Sequence, residues 1–87
     1  MALFSIRTVG VILAATGAAH LVKPEAFEAV TKTAFPDDTQ AWVKRNGATE
    51  FAIGAALAVP KLRKLGVLGL LGYVGFLGSR AKANGAF

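Results

Sequence analysis

The 87-residue sequence contains no cysteine and one histidine. The missing cysteines exclude disulfides, cysteine-ligated zinc, iron–sulfur clusters and thiol catalysis. A single histidine excludes a bis-histidine haem and a multi-histidine metal site within this chain, so we expect no metal site. Phosphate-binding glycine loops, serine nucleophile elbows and zincin motifs are also missing. We therefore expect a chain without catalytic activity of its own that holds no cofactor by itself.

Acidic residues are scarce as well, because five Asp and Glu stand against ten Lys and Arg, for a net charge of +5. The basic residues flank apolar runs and form no stripe interleaved with aromatics, which argues against a nucleic-acid partner. Hydrophobic residues make up 54% of the chain, and the mean hydropathy is +0.52. A soluble domain of this size needs polar residues to cover its surface. The excess predicts a protein that faces lipid.

The apolar runs predict an all-α fold, an integral membrane bundle of three transmembrane helices with a short amphipathic interfacial helix between the first and second. We place these helices over residues 3–22, 24–35, 38–59 and 63–80, followed by a tail over 81–87. Pro24 and Pro60 stop the first two spans. The uncharged cores reach about 15 residues, or roughly 22 Å as a helix, against a hydrocarbon thickness of about 30 Å. Snorkelling basic flanks extend them, although the first run also fits a signal peptide loosely.

Several residues have the character of membrane-interface anchors, because a tryptophan or a cluster of basic side chains stands at the end of an apolar run. They are Trp42, Lys44, Arg45, Lys61, Arg63 and Lys64. We expect membrane lipid as a partner and the bacterial inner or plasma membrane as the location. The dense positive turn from Lys61 to Lys64 places that turn and the N-terminus in the cytoplasm.

Glycine recurs every third residue through the third run, where each would cost a soluble helix about 1 kcal/mol relative to alanine. Small residues let helix backbones approach closely, so we predict a helix-packing role. The predicted packing glycines are Gly66, Gly69, Gly72, Gly75 and Gly78 of the third run, with Gly47 and Gly54 of the second. Three thin helices of this kind make a poor isolated bundle, which indicates larger protein subunits as partners.

Two ionisable residues fall near the ends of apolar runs, His20 in the first and Glu50 in the second. Thr16 and Asn46 precede them by four residues, so each helix presents a polar pair on one face. With Tyr73, these residues form a candidate polar cluster. One interpretation is a proton-relay or quinone-contacting site. The other is a hydrogen-bonded brace between two helices, which the nearness of an interface favours.

The pattern as a whole resembles the DoxX-like membrane proteins. The matching residues are Gly17, His20, Pro24 and Phe27 in G-x-x-H-x-x-x-P-x-x-F, then Phe35, Pro36, Trp42, Gly47, Glu50, Gly54, Leu57, Pro60 and Arg63. Members of that family are small helical membrane proteins, usually with four helices, and some are linked to quinone-coupled oxidation or to membrane redox complexes. This sequence ends soon after its third helix, which implies that a partner subunit supplies the missing wall.

The resemblance therefore implies an accessory or structural subunit of a larger membrane complex, with a respiratory or other electron-transfer complex as the host. Two alternatives stay open. The chain could itself be a quinone-linked redox or proton-transfer component, in which Glu50→Gln lowers the turnover of the host complex and leaves its composition intact. It could also bind lipid or quinone beside His20 and Glu50.

Overall fold

The computed structural model describes residues 5–86, and all of its regular structure is helical. Helix α1 spans Ile6–Val22, α2 spans Glu28–Lys32, α3 spans Thr39–Ala58 and α4 spans Arg63–Ala83. Short 3-10 turns at Pro24–Phe27 and Pro60–Leu62 join α1 to α2 and α3 to α4. The predicted interfacial helix over 24–35 is thus one turn plus the five-residue α2. Residues 3, 4 and 87 of the predicted segments lie outside the described residues.

Local chemistry explains where the helices begin and end. The Ser5 hydroxyl accepts a hydrogen bond from the Thr8 amide at 3.1 Å and so caps α1. Pro24 and Pro60 each open the turn that follows a longer helix, since proline suits a first helical position. At the end of α4, Gly85 adopts φ +80°. The Ala86 amide then bonds the Ala81 carbonyl at 2.9 Å, as in a Schellman cap.

The prediction of three membrane-spanning helices is wrong. Within residues 5–86, no single helix is both long enough and apolar enough to cross a bilayer. The 17 residues of α1 are short for a span, and the longer α3 and α4 carry charged residues within their length. Together, helix α1 and the segment Pro24–Lys32 have the length and composition that a membrane span requires, but a bend of 115° separates them.

Helices α1 and α3 approach so closely that glycines are required at their contact. Gly10 and Gly17 of α1 face Gly54 and Gly47 of α3, and the two glycines on each helix are seven positions apart. A Cβ added at Gly10 would lie 2.6 Å from the Gly54 carbonyl oxygen and 2.7 Å from the Ala58 nitrogen. Side chains at these positions would collide with backbone, which cannot rotate away.

Helix α3 occupies the centre, because both α1 and α4 pack against it, whereas the backbones of α1 and α4 do not approach each other closely within the described residues. Ile53 and Leu57 of α3 and Tyr73 of α4 form a buried cluster that Leu13, Leu70 and Leu77 extend. The Arg63 Nε donates to the Leu57 carbonyl at 3.0 Å and satisfies the end of α3. Gly66 packs on Leu57 and Gly69 on Ile53, while Gly72, Gly75 and Gly78 face open space.

Replacement of Gly54 by alanine should lower the free energy of unfolding by about 1–3 kcal/mol, because the new Cβ meets the backbone of Gly10 and Ala14. Gly72→Ala is the matched control. It adds the same methyl group in open space and should raise the free energy of unfolding by about 0.5–1 kcal/mol through helix propensity. Urea unfolding followed by circular dichroism measures both, and shifts of the same sign would contradict the packing described.

Candidate functional site

His20 lies in the last turn of α1, where its ring orientation is fixed from two sides. Its Nδ1 donates to the Thr16 carbonyl oxygen at 2.7 Å. The Phe27 ring, brought back by the Pro24 turn, stacks on the imidazole with ring centroids 3.7 Å apart and planes 17° from parallel. Because Nδ1 holds its proton for Thr16, the Nε2 of the neutral ring is an acceptor. That atom points at Glu50.

Glu50 and Tyr73 complete a cluster across three helices. The Tyr73 hydroxyl donates to Glu50 Oε2 at 2.8 Å, and the same oxygen lies 3.7 Å from His20 Nε2. Burial of the phenol raises the pKa of Tyr73 above its usual value, and the hydrogen bond to Glu50 and its negative charge raise it further. Tyr73 is thus held neutral as a donor to the carboxylate.

The cluster forms one end of a cavity of about 230 Å³. Asn46 of α3 and Thr31 of α2 add an amide and a hydroxyl to the polar end, while Val30, Phe35 and Leu77 provide apolar wall. Both Asn46 and Thr31 are buried, and neither side chain has a hydrogen-bond partner among the described residues. The cavity therefore combines free polar groups with an apolar interior, the usual composition of a small-molecule site.

Of the five residues of the candidate polar cluster, His20, Glu50, Asn46 and Tyr73 line this cavity. Thr16 contributes its carbonyl oxygen to His20, whereas its hydroxyl donates to the Ile12 carbonyl at 2.9 Å within α1. The structure therefore places Thr16 behind the histidine and not in the cavity.

The candidate anchor Trp42 lies in an aromatic cluster, stacked on Phe35 at 4.4 Å and tilted against Phe76 at 5.9 Å. Arg45 and Arg80 place their guanidinium carbons 4.9 and 5.3 Å from its ring centroid. Lys44, Lys61 and Lys64 are exposed. Arg63, another candidate anchor, serves as the cap of α3.

The candidate polar cluster did not include Phe27 or Thr31, and the predicted packing glycines did not include Gly10 or Gly17. Nothing in the sequence shows that the chain turns back by 115° after α1 and brings Phe27 onto His20. A signal for the glycines did exist, since Gly10 and Gly17 repeat the seven-residue spacing of Gly47 and Gly54.

A family model described as Domain of unknown function (DUF8561) matches residues 9–84. No curated protein and no solved structure matches the chain. Nothing in these comparisons links the chain to the DoxX-like proteins, and that resemblance stays a prediction.

The raised pKa of Tyr73 has a direct optical test, because the chain has one tyrosine. In the folded protein, the midpoint of the phenolate absorbance change should lie well above the ordinary value of about pH 10. In urea the midpoint should return to that ordinary value. The neutral phenol is the form that the fold favours. Its contribution to stability is therefore complete below about pH 10 and is lost as the pH rises through the folded-state pKa.

Tyr73→Phe should remove that alkaline loss and lower the free energy of unfolding at neutral pH by about 1–2 kcal/mol, since Glu50 loses its phenolic donor. Urea unfolding at neutral and alkaline pH measures both effects. A phenolate midpoint in the folded chain equal to that in urea would contradict the bond to Glu50.

Proposed function

We propose that this chain, which belongs to the family described as Domain of unknown function (DUF8561), is an accessory helical subunit that packs against a larger protein partner. The supporting observation is an apolar groove, left open by the described residues, between the start of α1 and the start of α4. This groove, which we call the α1/α4 groove, has a volume of about 480 Å³. It is lined by Ile6, Arg63, Lys64, Val67 and Leu68.

Helix α4 continues the apolar surface beyond the groove. Leu65, Leu68 and Leu71 are each 66% exposed and follow one another at intervals of three residues, so they share the side of α4 that faces away from α3. Neighbouring exposed apolar side chains of this kind are typical of a binding surface. The burial of one such leucine is worth about 1.5–3 kcal/mol, which gives association a driving force.

The shape of the surface favours a helix as the occupant. Gly72 and Gly75 lie open on the outer side of α4 close to Leu68 and Leu71, so a partner helix can approach the α4 backbone there. The backbones of α1 and α4 do not come close to each other, and the α1/α4 groove opens between their first turns. The basic side chains of Arg63 and Lys64 favour acidic groups at that end of the partner.

The identity of the larger complex stays a prediction from the sequence. The proposal for this chain needs an apolar helical partner, and the membrane and respiratory character of the host rests on the family resemblance alone. The apolar groove supports the subunit role without reference to any cofactor.

Leu68→Asn should break the association, because it places an amide in the α1/α4 groove without a partner. Val22→Asn is the matched control, since Val22 is still more exposed, at 84%, but lies at the other end of α1. The tagged chain is purified in mild detergent, and co-purifying proteins are quantified by mass spectrometry.

We expect one set of partners in stoichiometric amount with the unmodified chain and with Val22→Asn, and at least tenfold less with Leu68→Asn. Recovery of the chain alone, as a monomer or a self-associated oligomer, would contradict the accessory role. Equal loss in both variants would contradict the assignment of the groove.

A further inference from the structure

When the His20 ring is neutral, the cavity contains two hydrogen-bond acceptors that face each other, His20 Nε2 and Glu50 Oε2. His20 Nε2 is unprotonated in the neutral ring because Nδ1 donates to Thr16, and it lies 3.7 Å from Glu50 Oε2. That separation is too long for a direct hydrogen bond. A donor that binds beside both atoms would relieve the repulsion between their lone pairs.

Glu50 has no Lys or Arg partner among the described residues. Its side chain is 13% exposed, and the contact with His20 is its one ion-pair contact among the described residues, although the chain carries ten Lys and Arg. Tyr73 supplies a neutral donor to one oxygen, and the carboxylate can accept further hydrogen bonds from a donor in the cavity that it lines.

Asn46 is a third polar residue of the cavity. It is 7% exposed as a residue, and its side chain makes no hydrogen bond within residues 5–86. Its amide oxygen is an acceptor that a donor in the cavity can use.

We propose that this cavity binds a small primary ammonium compound with a short apolar chain. The three N–H groups of an ammonium match the acceptors of Glu50, His20 and Asn46, and its positive charge supplies the partner that Glu50 lacks. The site shares no lining residue with the α1/α4 groove, so the inference is independent of the subunit role.

The apolar lining determines the polarity and size of the rest of the ligand. Val30, Ala34, Leu77 and Ala81 add apolar side chains to the cavity lining and suit a hydrocarbon chain. A volume of about 230 Å³ is below the range of roughly 300–1,000 Å³ for drug-sized ligands, so the chain is a few carbons long. Arg80 packs over Phe35 at 4.8 Å and does not line the cavity, so its charge is not placed against the ammonium.

The probe is butylammonium chloride, titrated calorimetrically into the full chain at physiological ionic strength. Butan-1-ol has the same chain length without the charge, and butyrate carries the opposite charge. We expect butylammonium to bind at least tenfold more tightly than butan-1-ol, and butyrate not to bind, because charge-assisted hydrogen bonds to Glu50 provide the selectivity.

Glu50→Gln should weaken butylammonium binding at least tenfold, because it keeps the shape of the side chain and removes its charge. Glu25→Gln is the matched control, since it removes one acidic charge from an exposed residue outside the cavity and should leave the Kd unchanged. Equal binding by the Glu50→Gln variant or of butan-1-ol, preferred binding of butyrate, or no binding of butylammonium would each overturn the proposal.

A second variant keeps the test decisive if Glu50→Gln fails to fold. Ala81→Leu narrows the apolar end and leaves the polar cluster untouched. It should weaken butylammonium binding severalfold while methylammonium binds as it does to the unmodified chain. Unchanged butylammonium binding by this variant, with its helical circular dichroism intact, would place the ligand outside the cavity and overturn the proposal.

Discussion

The close approach of the α1 and α3 backbones at paired glycines is the contact on which the remaining structure depends. It brings the last turn of α1 beside α3, and a Cβ at Gly47 would collide with His20 itself. The same contact therefore sets the helix spacing and makes room for the imidazole. In packing this dense, a single added methyl group displaces the neighbouring side chains. The geometry of the polar cluster therefore depends on glycines that have no reactive side chain.

The buried apolar core of the described chain is small, and polar groups occupy part of the interior. Ala34, Phe35, Val43, Ile53, Leu57 and Tyr73 are its buried hydrophobic residues, next to buried His20, Thr31 and Asn46. A core of this size supplies little stability for a chain of 87 residues. Interactions that complete the fold, a partner on the uncovered face or a ligand in the cavity, would stabilise it by mass action. The two proposals follow from that common incompleteness.

The membrane prediction failed for a physical reason that the helices make plain. Mean hydropathy measures how much apolar surface a chain has, but spanning depends on how that surface is distributed along an uninterrupted helix. Pro24 ends α1 after 17 residues, and Lys44, Arg45 and Glu50 lie within α3. Much of the apolar excess appears instead on the outer side of α4, at Leu65, Leu68 and Leu71. Composition alone does not distinguish a lipid-facing residue from one that awaits a protein partner.

The sequence by itself determined the helical character of the chain and the breaks at Pro24 and Pro60, because these depend on local backbone preferences. It also pointed to His20, Glu50, Asn46 and Tyr73, since polar residues inside apolar runs are visible without a structure. Only the tertiary structure decided that Phe27 stacks on His20, that Thr16 contributes its backbone and not its hydroxyl, and that Gly72 is open while Gly54 is packed. These facts depend on the angles between helices, which arise from contacts between residues distant in the chain.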